Sequence, residues 1–267
     1  MKPPESSAPS LVRHFLEAVG AKVMAACEEV GRFFYILYTT LHWMFRRPFD
    51  LKEWGRQMVR VGVDSLPVVG LTALFTGMVM ALQTFRGFER FHAEGFVASV
   101  VSLSLVRELA PVLSALMMSG RIGSALAAEL GTMRVTEQID ALYAMATEPI
   151  HYLVVPRVGA CVIMLPPLVM CANGIGILGG WLVAVKLLGA NPVVYWQRTF
   201  QFLDLNDIMS GLIKAAVFGL ILSVTGCAKG YFTSGGAEGV GRATTAAVVM
   251  GSIVILLSDF FLTKILF

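Results

Sequence analysis

Polar and apolar positions follow two different rhythms along this chain. Over residues 11–47 charges recur every few positions, at Arg13, Glu17, Lys22, Glu28, Glu29 and Arg32, which is too often for the centre of a bilayer. The same stretch closes on Phe33, Phe34, Tyr35, Tyr38, Trp43 and Phe45. Interspersed charge with an aromatic flank predicts an amphipathic helix lying in the headgroup layer. A second such piece is expected over residues 48–62, PFDLKEWGRQMVRVG. Beyond it the charges thin out and long apolar runs begin, among them VVGLTALFTGMVMAL and AAVVMGSIVILLSDFFLTKILF. With their flanks these reach the roughly 20 residues that a 30 Å hydrocarbon core requires.

Five spans are predicted, near residues 66–85, 97–118 (continuing as helix toward 130), 152–185, 207–229 and 243 to the end. Pro166 and Pro167 are expected to bend the third. A charged loop, RGFERFHAEGF, separates the first two spans, and NPVVYWQRTFQF predicts a short interfacial helix between the third and fourth. YFTSGGAEGVGR reads as a flexible glycine-rich turn before the fifth. The fold class is therefore an all-α integral membrane protein. Residues 1–62 form a leader with interfacial amphipathic helices, and 63–267 form a transmembrane domain.

Composition sharpens this picture. Only 15% of the 267 residues are charged and 56% are hydrophobic, against about 25% charged in soluble domains; the mean hydropathy is +0.72. The opening MKPPESSAPS is polar and lacks the apolar core and small-residue cleavage site of a signal peptide, so insertion is expected to rely on the spans themselves. Cys27, Cys161, Cys171 and Cys227 are scattered without CxxC spacing or paired histidines, and read as small hydrophobes rather than metal ligands. No metal site and no nucleic-acid partner are expected.

Lysine and arginine placement orients the spans. With the N-terminus inside, fourteen of the 21 basic residues fall on the cytoplasmic side and five outside, while Arg107 and Lys214 lie within spans. An odd number of spans then puts the C-terminus outside.

That orientation makes GTMRVTEQIDAL, between the second and third spans, cytoplasmic. On a helix Val135, Ile139, Leu142 and Ala146 would form one apolar stripe, with Glu137, Asp140 and Tyr143 elsewhere on the circumference and Pro149 forcing an end. Such a helix can lie flat on the membrane or be seated in a groove of a soluble partner. Its acidic face disfavours anionic lipid, so the pattern favours the partner.

RELAPVLSALMMSGRIGSALAAELGTMRVTEQIDAL, followed shortly by Pro149, resembles the central signature of the MlaE (YrbE) permease family, the membrane subunits of ABC transporters that move phospholipids with MCE-domain proteins. The resemblance extends from about residue 48 onward and is densest over residues 107–149, with no departure from the core pattern. It implies a homodimer in the bacterial inner membrane that binds two separate ATPase subunits through a cytoplasmic coupling helix. It further implies a periplasmic MCE-domain partner, a STAS-domain accessory protein, phospholipid as substrate, and a contribution to outer-membrane lipid asymmetry. The coupling helix maps onto residues 129–147, with Glu129, Gly131, Thr132, Met133, Arg134, Glu137, Gln138, Asp140 and Leu142 as contact residues. No cofactor is expected in this chain. ATP and Mg²⁺ belong to the partner, and the physics agrees, since no GxxxxGK[ST] phosphate loop is present.

Four charges fall within the predicted spans: Arg107, Glu108, Lys214 and Asp259. Each costs about 2.5–3.5 kcal/mol on insertion scales and is a functional candidate by default. By helical rise all four lie between the bilayer middle and its outer surface. Two readings stand: an ion-pair cluster joining three helices, and a polar lining that meets a lipid headgroup at Arg107 or Lys214. Small residues recur every four positions in three ridges, 119–131, 172–184 and 211–223, which permit close helix approach; one of them is expected to serve a dimer. In the outer loop Arg86, Glu89 and Arg90 are either solvated or contact a periplasmic partner, and His92 alone is no metal site.

Two other functions compete. A secondary transporter using Glu108 or Asp259 as proton carrier would respond to a pH gradient without ATP and would usually show an internal repeat, which is not found. An intramembrane lipid-modifying enzyme would need a paired nucleophile and base; His14, His42, His92 and His151 show no such spacing.

Overall fold

The computed structural model describes residues 10–44, 46, 51–90 and 93–266. The first nine residues of the leader, along with Phe45, Arg47 and His92, lie outside that set. Regular structure among the described residues is helical throughout. α1 spans Ser10–Met44 and α2 Leu51–Gly62, the latter turning through Val63–Ser65 into α3, Leu66–Glu89. The second rod, Val97–Val135, comprises α4 (Val97–Ser104), α5 (Ala110–Met118) and α6 (Ser124–Val135), joined by π-helical turns at Leu105–Leu109 and Ser119–Gly123. A short helix, α7 (Gln138–Ala144), precedes a third rod, Ile150–Leu187, built around α8 (Val155–Trp181). α9 (Pro192–Phe202), α10 (Leu205–Tyr231) and α11 (Gly236–Leu266) complete the chain. Five of these helical stretches are long and apolar enough to cross a membrane.

The rods alternate in direction, so one end of the bundle carries α7 and α1 and the other carries α9. Local chemistry explains the breaks. Asn191 caps α9 by accepting from the backbone N–H groups of Val193 and Val194 at 2.9 and 3.4 Å, with Pro192 preset for the first turn. Asp204 and Asp207 form a reciprocal capping box at the start of α10. Gly235 and Gly236, at φ +91° and +66°, make the turn into α11. α11 therefore begins at Gly236, seven residues before the expected position, and most of the glycine-rich stretch is helix rather than loop. α8 runs through Pro166 and Pro167 as continuous helix.

Packing is tightest where side chains vanish. α3 crosses α8 so closely that a Cβ on Gly77 would lie 1.9 Å from the carbonyl oxygen of Gly176. Ser119, Gly123, Ala127 and Gly131, Ala172, Gly176, Gly180 and Ala184, and Gly211, Ala215, Gly219 and Ser223 are all buried within the single chain. None of the three ridges is left open for a second copy, because intrachain contacts use them all. Large apolar side chains instead face outward, Leu71, Phe75 and Val79 on α3 and Val249, Ile253, Leu256 and Phe260 on α11, as lipid contact requires.

Gly77→Ala and Gly174→Ala should move stability in opposite directions. The first forces a Cβ into backbone, at a cost of about 1–3 kcal/mol or more. The second, with nothing within 4 Å of the added carbon, should gain up to about 1 kcal/mol from helix propensity. Thermal unfolding in detergent reads both.

Candidate functional site

The first π-helical turn, Leu105–Leu109, contains Arg107 and Glu108. Such turns widen the helix locally and recur at functional positions. Opposite it on α10 lies Lys214, which has no exposed surface. Its Nζ sits 2.6 Å from Glu108 Oε2 and 3.1 Å from Asp259 Oδ1 of α11. It also donates to Thr263 Oγ1 at 2.7 Å and to the Arg107 carbonyl at 3.3 Å. Thr263, one turn beyond Asp259, brings its hydroxyl 3.2 Å from Glu108 Oε1. The second rod, α10 and α11 are thus joined at one ammonium group. Removing an amine from water is costly, and only paired charge with further hydrogen bonds offsets it.

Arg107 turns away from this group. Its Nη2 and Nε lie 2.6 and 2.7 Å from Oδ1 of Asp207, whose other oxygen accepts from the Asp204 backbone N–H at 3.2 Å. Asp207 therefore closes the N-terminus of α10, where negative charge is favoured, and anchors Arg107 with the same carboxylate. Sequence reasoning singled out neither Asp207 nor Thr263. The available signal was spacing: Asp207 and Lys214 are seven apart and Asp259 and Thr263 four apart, so each pair shares a helix face. Five ionisable groups are present in place of the expected four, three acidic and two basic, and they form a pair, Arg107 with Asp207, beside a triad of Lys214 with Glu108 and Asp259.

At the opposite end the segment expected as one helix over residues 129–147 is divided. Glu129 to Val135 belong to α6 and prolong the second rod, and only Gln138–Ala144 form a separate helix. The cause is backbone geometry: Glu137 adopts a left-handed conformation at φ 60° and Ala146 at φ 56°, which regular helix cannot accommodate. Of the expected apolar stripe Ile139 is fully buried and Leu142 packs against the core, while Val135 and Ala146 are exposed.

The remaining residues of the segment have distinct surroundings. Glu129 accepts from Arg60 of α2 and, at 3.4 Å, from Arg157 of α8, tying three rods together below α7. Gly131 is buried against Thr233 and Val240. Thr132 donates to the Ala128 carbonyl at 2.7 Å, and Met133 packs on the core. Arg134 reaches Asp140 at 2.5 Å across the break, and Gln138 donates to the Thr136 hydroxyl at 3.1 Å. Glu137, Gln138 and Asp140 face outward. Tyr143 hydrogen-bonds Tyr231 at the end of α10, oxygen to oxygen 2.8 Å. Arg86, Glu89 and Arg90 lie exposed at the far end of α3, beside α9's end of the bundle.

Comparison with known proteins places this architecture. A family model described as Permease MlaE matches residues 54–265. The chain belongs to the MlaE permease family. It is similar to a probable ABC transporter permease protein of Rickettsia typhi, 48% identical over 249 residues that cover 93% of this chain and 96% of the relative. It is also 38% identical over 260 residues to the intermembrane phospholipid transport system permease protein MlaE of Haemophilus influenzae, covering 96% of this chain and 99% of that one. The chloroplastic TRIGALACTOSYLDIACYLGLYCEROL 1 protein of Arabidopsis thaliana matches at 38% over 232 residues, 87% of this chain and 64% of its own length. In this MlaE permease the family match opens inside α2 and closes in α11, so both charge groups fall within it and α1 lies outside.

Lys214→Met should destabilise the bundle by about 3–5 kcal/mol, because Glu108 and Asp259 then face each other without a cation. Adding Glu108→Gln and Asp259→Asn should restore most of the loss. Thermal unfolding of the single and triple variants in detergent checks both.

Proposed function

We propose that this chain is the membrane subunit of an ABC transporter that moves phospholipid between the inner membrane and a periplasmic MCE-domain partner, energised by a separate ATPase. The observation that carries the reading is the similarity, over nearly the full length of both chains, to a permease named for intermembrane phospholipid transport. In this reading two copies form a homodimer, each with its N-terminus in the cytoplasm and its C-terminus in the periplasm, and a STAS-domain protein accompanies the ATPase. The lysine and arginine bias supports that orientation. α7 supports the coupling: it is short, held between two spans, seated on Ile139, and presents Glu137, Gln138 and Asp140 outward.

The cluster at the α9 end then lines the upper part of the lipid path. Arg107, paired with Asp207 and 39% exposed at its side chain, is the cation of the cluster that a phosphate headgroup would meet, whereas fully enclosed Lys214 holds helices together. Arg86, Glu89 and Arg90 are placed to meet the MCE-domain partner.

The test is transfer of a labelled phospholipid from proteoliposomes holding the permease and its ATPase to the MCE-domain acceptor. Transfer should require ATP, and transfer driven by a pH gradient alone would overturn the proposal. Glu137→Lys with Asp140→Lys should abolish co-purification of the ATPase while the membrane dimer survives; retained co-purification would remove α7 as the contact. Exposed Cys27 on α1 should react with a membrane-impermeant maleimide only after the inner membrane is opened, and labelling in intact spheroplasts would reverse the orientation.

A further inference from the structure

The rods differ in continuity. The second is interrupted by π-helical turns at Leu105–Leu109 and Ser119–Gly123, while the third carries such turns only at its two ends, Ile150–Val154 and Leu182–Leu187. α10 runs from Leu205 to Tyr231 as unbroken α-helix. Both chemically distinctive ends of the bundle meet on it. Near its start Asp207 holds Arg107 and Lys214 holds Glu108 and Asp259. At its last residue Tyr231, 6% exposed, hydrogen-bonds Tyr143 of α7. Seventeen residues separate Lys214 from Tyr231, about 26 Å along the axis. Between them α10 is pressed against the second rod without intervening side chains: Cβ atoms on Gly226 and Gly230 would lie 2.7 and 2.8 Å from the carbonyl oxygens of Gly123 and Ala127.

We propose that α10 is the transmission rod of this permease and that the Tyr143–Tyr231 hydrogen bond is the positioning contact through which α7 moves it. The inference rests on the reading of α7 as the ATPase contact. Displacement of α7 reaches α6 through the left-handed break at Glu137, bridged at the surface by Arg134 and Asp140, and must then pass two π-helical turns of the second rod, which absorb motion. It reaches α10 through one directed contact and then an uninterrupted hydrogen-bond ladder. Smooth glycine-lined contact lets α10 slide against its neighbour, the shear mode by which packed helices convert small shifts at one end into rearrangement at the other. A shift of α10 along its axis changes the register of Lys214 against Glu108 and Asp259, and of Asp207 against Arg107. Pairing along the lipid path would in this way be set from the opposite end of the bundle.

The test compares Tyr143→Phe, Tyr231→Phe and the double variant, each reconstituted with the ATPase and the MCE-domain acceptor. ATPase binding, ATP hydrolysis and thermal stability should stay near wild type. Phospholipid moved per ATP hydrolysed should fall about tenfold in each single variant, on the scale of one hydrogen bond, and no further in the double. Spin labels at exposed Met145 and Met209 should show a nucleotide-dependent distance change in the wild type that both single variants lose. An unchanged transfer-to-hydrolysis ratio in both, or losses that multiply in the double, would overturn the inference while leaving the proposed function intact. Absence of ATP-dependent transfer by the wild type would instead defeat the proposed function and this inference with it.

Discussion

An ammonium group with no exposed surface can sit inside a helix bundle only where its charge is answered on more than one side. Lys214 is answered by Glu108 from the second rod and Asp259 from α11, with Thr263 and the Arg107 carbonyl taking up its remaining donors. Because the three helices approach from different directions, this one requirement sets their rotation and their relative height at the α9 end. Buried ion pairs seldom add stability over well-packed apolar side chains, so the cluster is better understood as a specification of geometry than as a source of cohesion. Cohesion comes from the apolar contacts around it, where Phe218 and Leu222 of α10 and Ile255 of α11 are fully enclosed or nearly so.

Close approach makes the cluster possible. A lysine and two carboxylates from three helices meet at 2.6 and 3.1 Å only if the backbones can come near, and the small-residue ridges allow that. All three ridges are consumed inside the chain, so the homodimer of the proposed function would be built on larger residues. Outward apolar faces remain on α3, α8 and α11, among others, and in a bilayer each can meet lipid or protein. The π-helical turns have a related origin: an added residue rotates the next turn and lets Arg107 and Glu108, adjacent in sequence, serve Asp207 and Lys214 on the same neighbouring helix.

The proposed function gives the other end a part to play. A handle for the separate ATPase of the proposed function must be exposed, polar and firmly seated. α7 meets those conditions through the burial of Ile139, the Arg134–Asp140 pair that spans its break, and the bond from Tyr143 to α10. Glu129, shared between Arg60 and Arg157, holds the rods beneath it.

The number of candidate spans and their approximate limits were legible in the chain, because each is a local property of hydropathy within some twenty residues. The family was legible too, in the run from Arg107 to Pro149. Which charge meets which was not: Asp207 looked like the polar edge of a span, and its partner Arg107 lies 100 positions away. The break at Glu137 was hidden because a helical pattern of apolar residues persists across it, and a single left-handed residue leaves no mark in hydropathy. Nor could the Tyr143–Tyr231 contact, 88 positions apart, be foreseen. Sequence determined what each helix must bury, since that depends on its own residues and their solvent. Only the tertiary structure decided which helix it is buried against, since rotation and height are set jointly by all the neighbours that must fit at once.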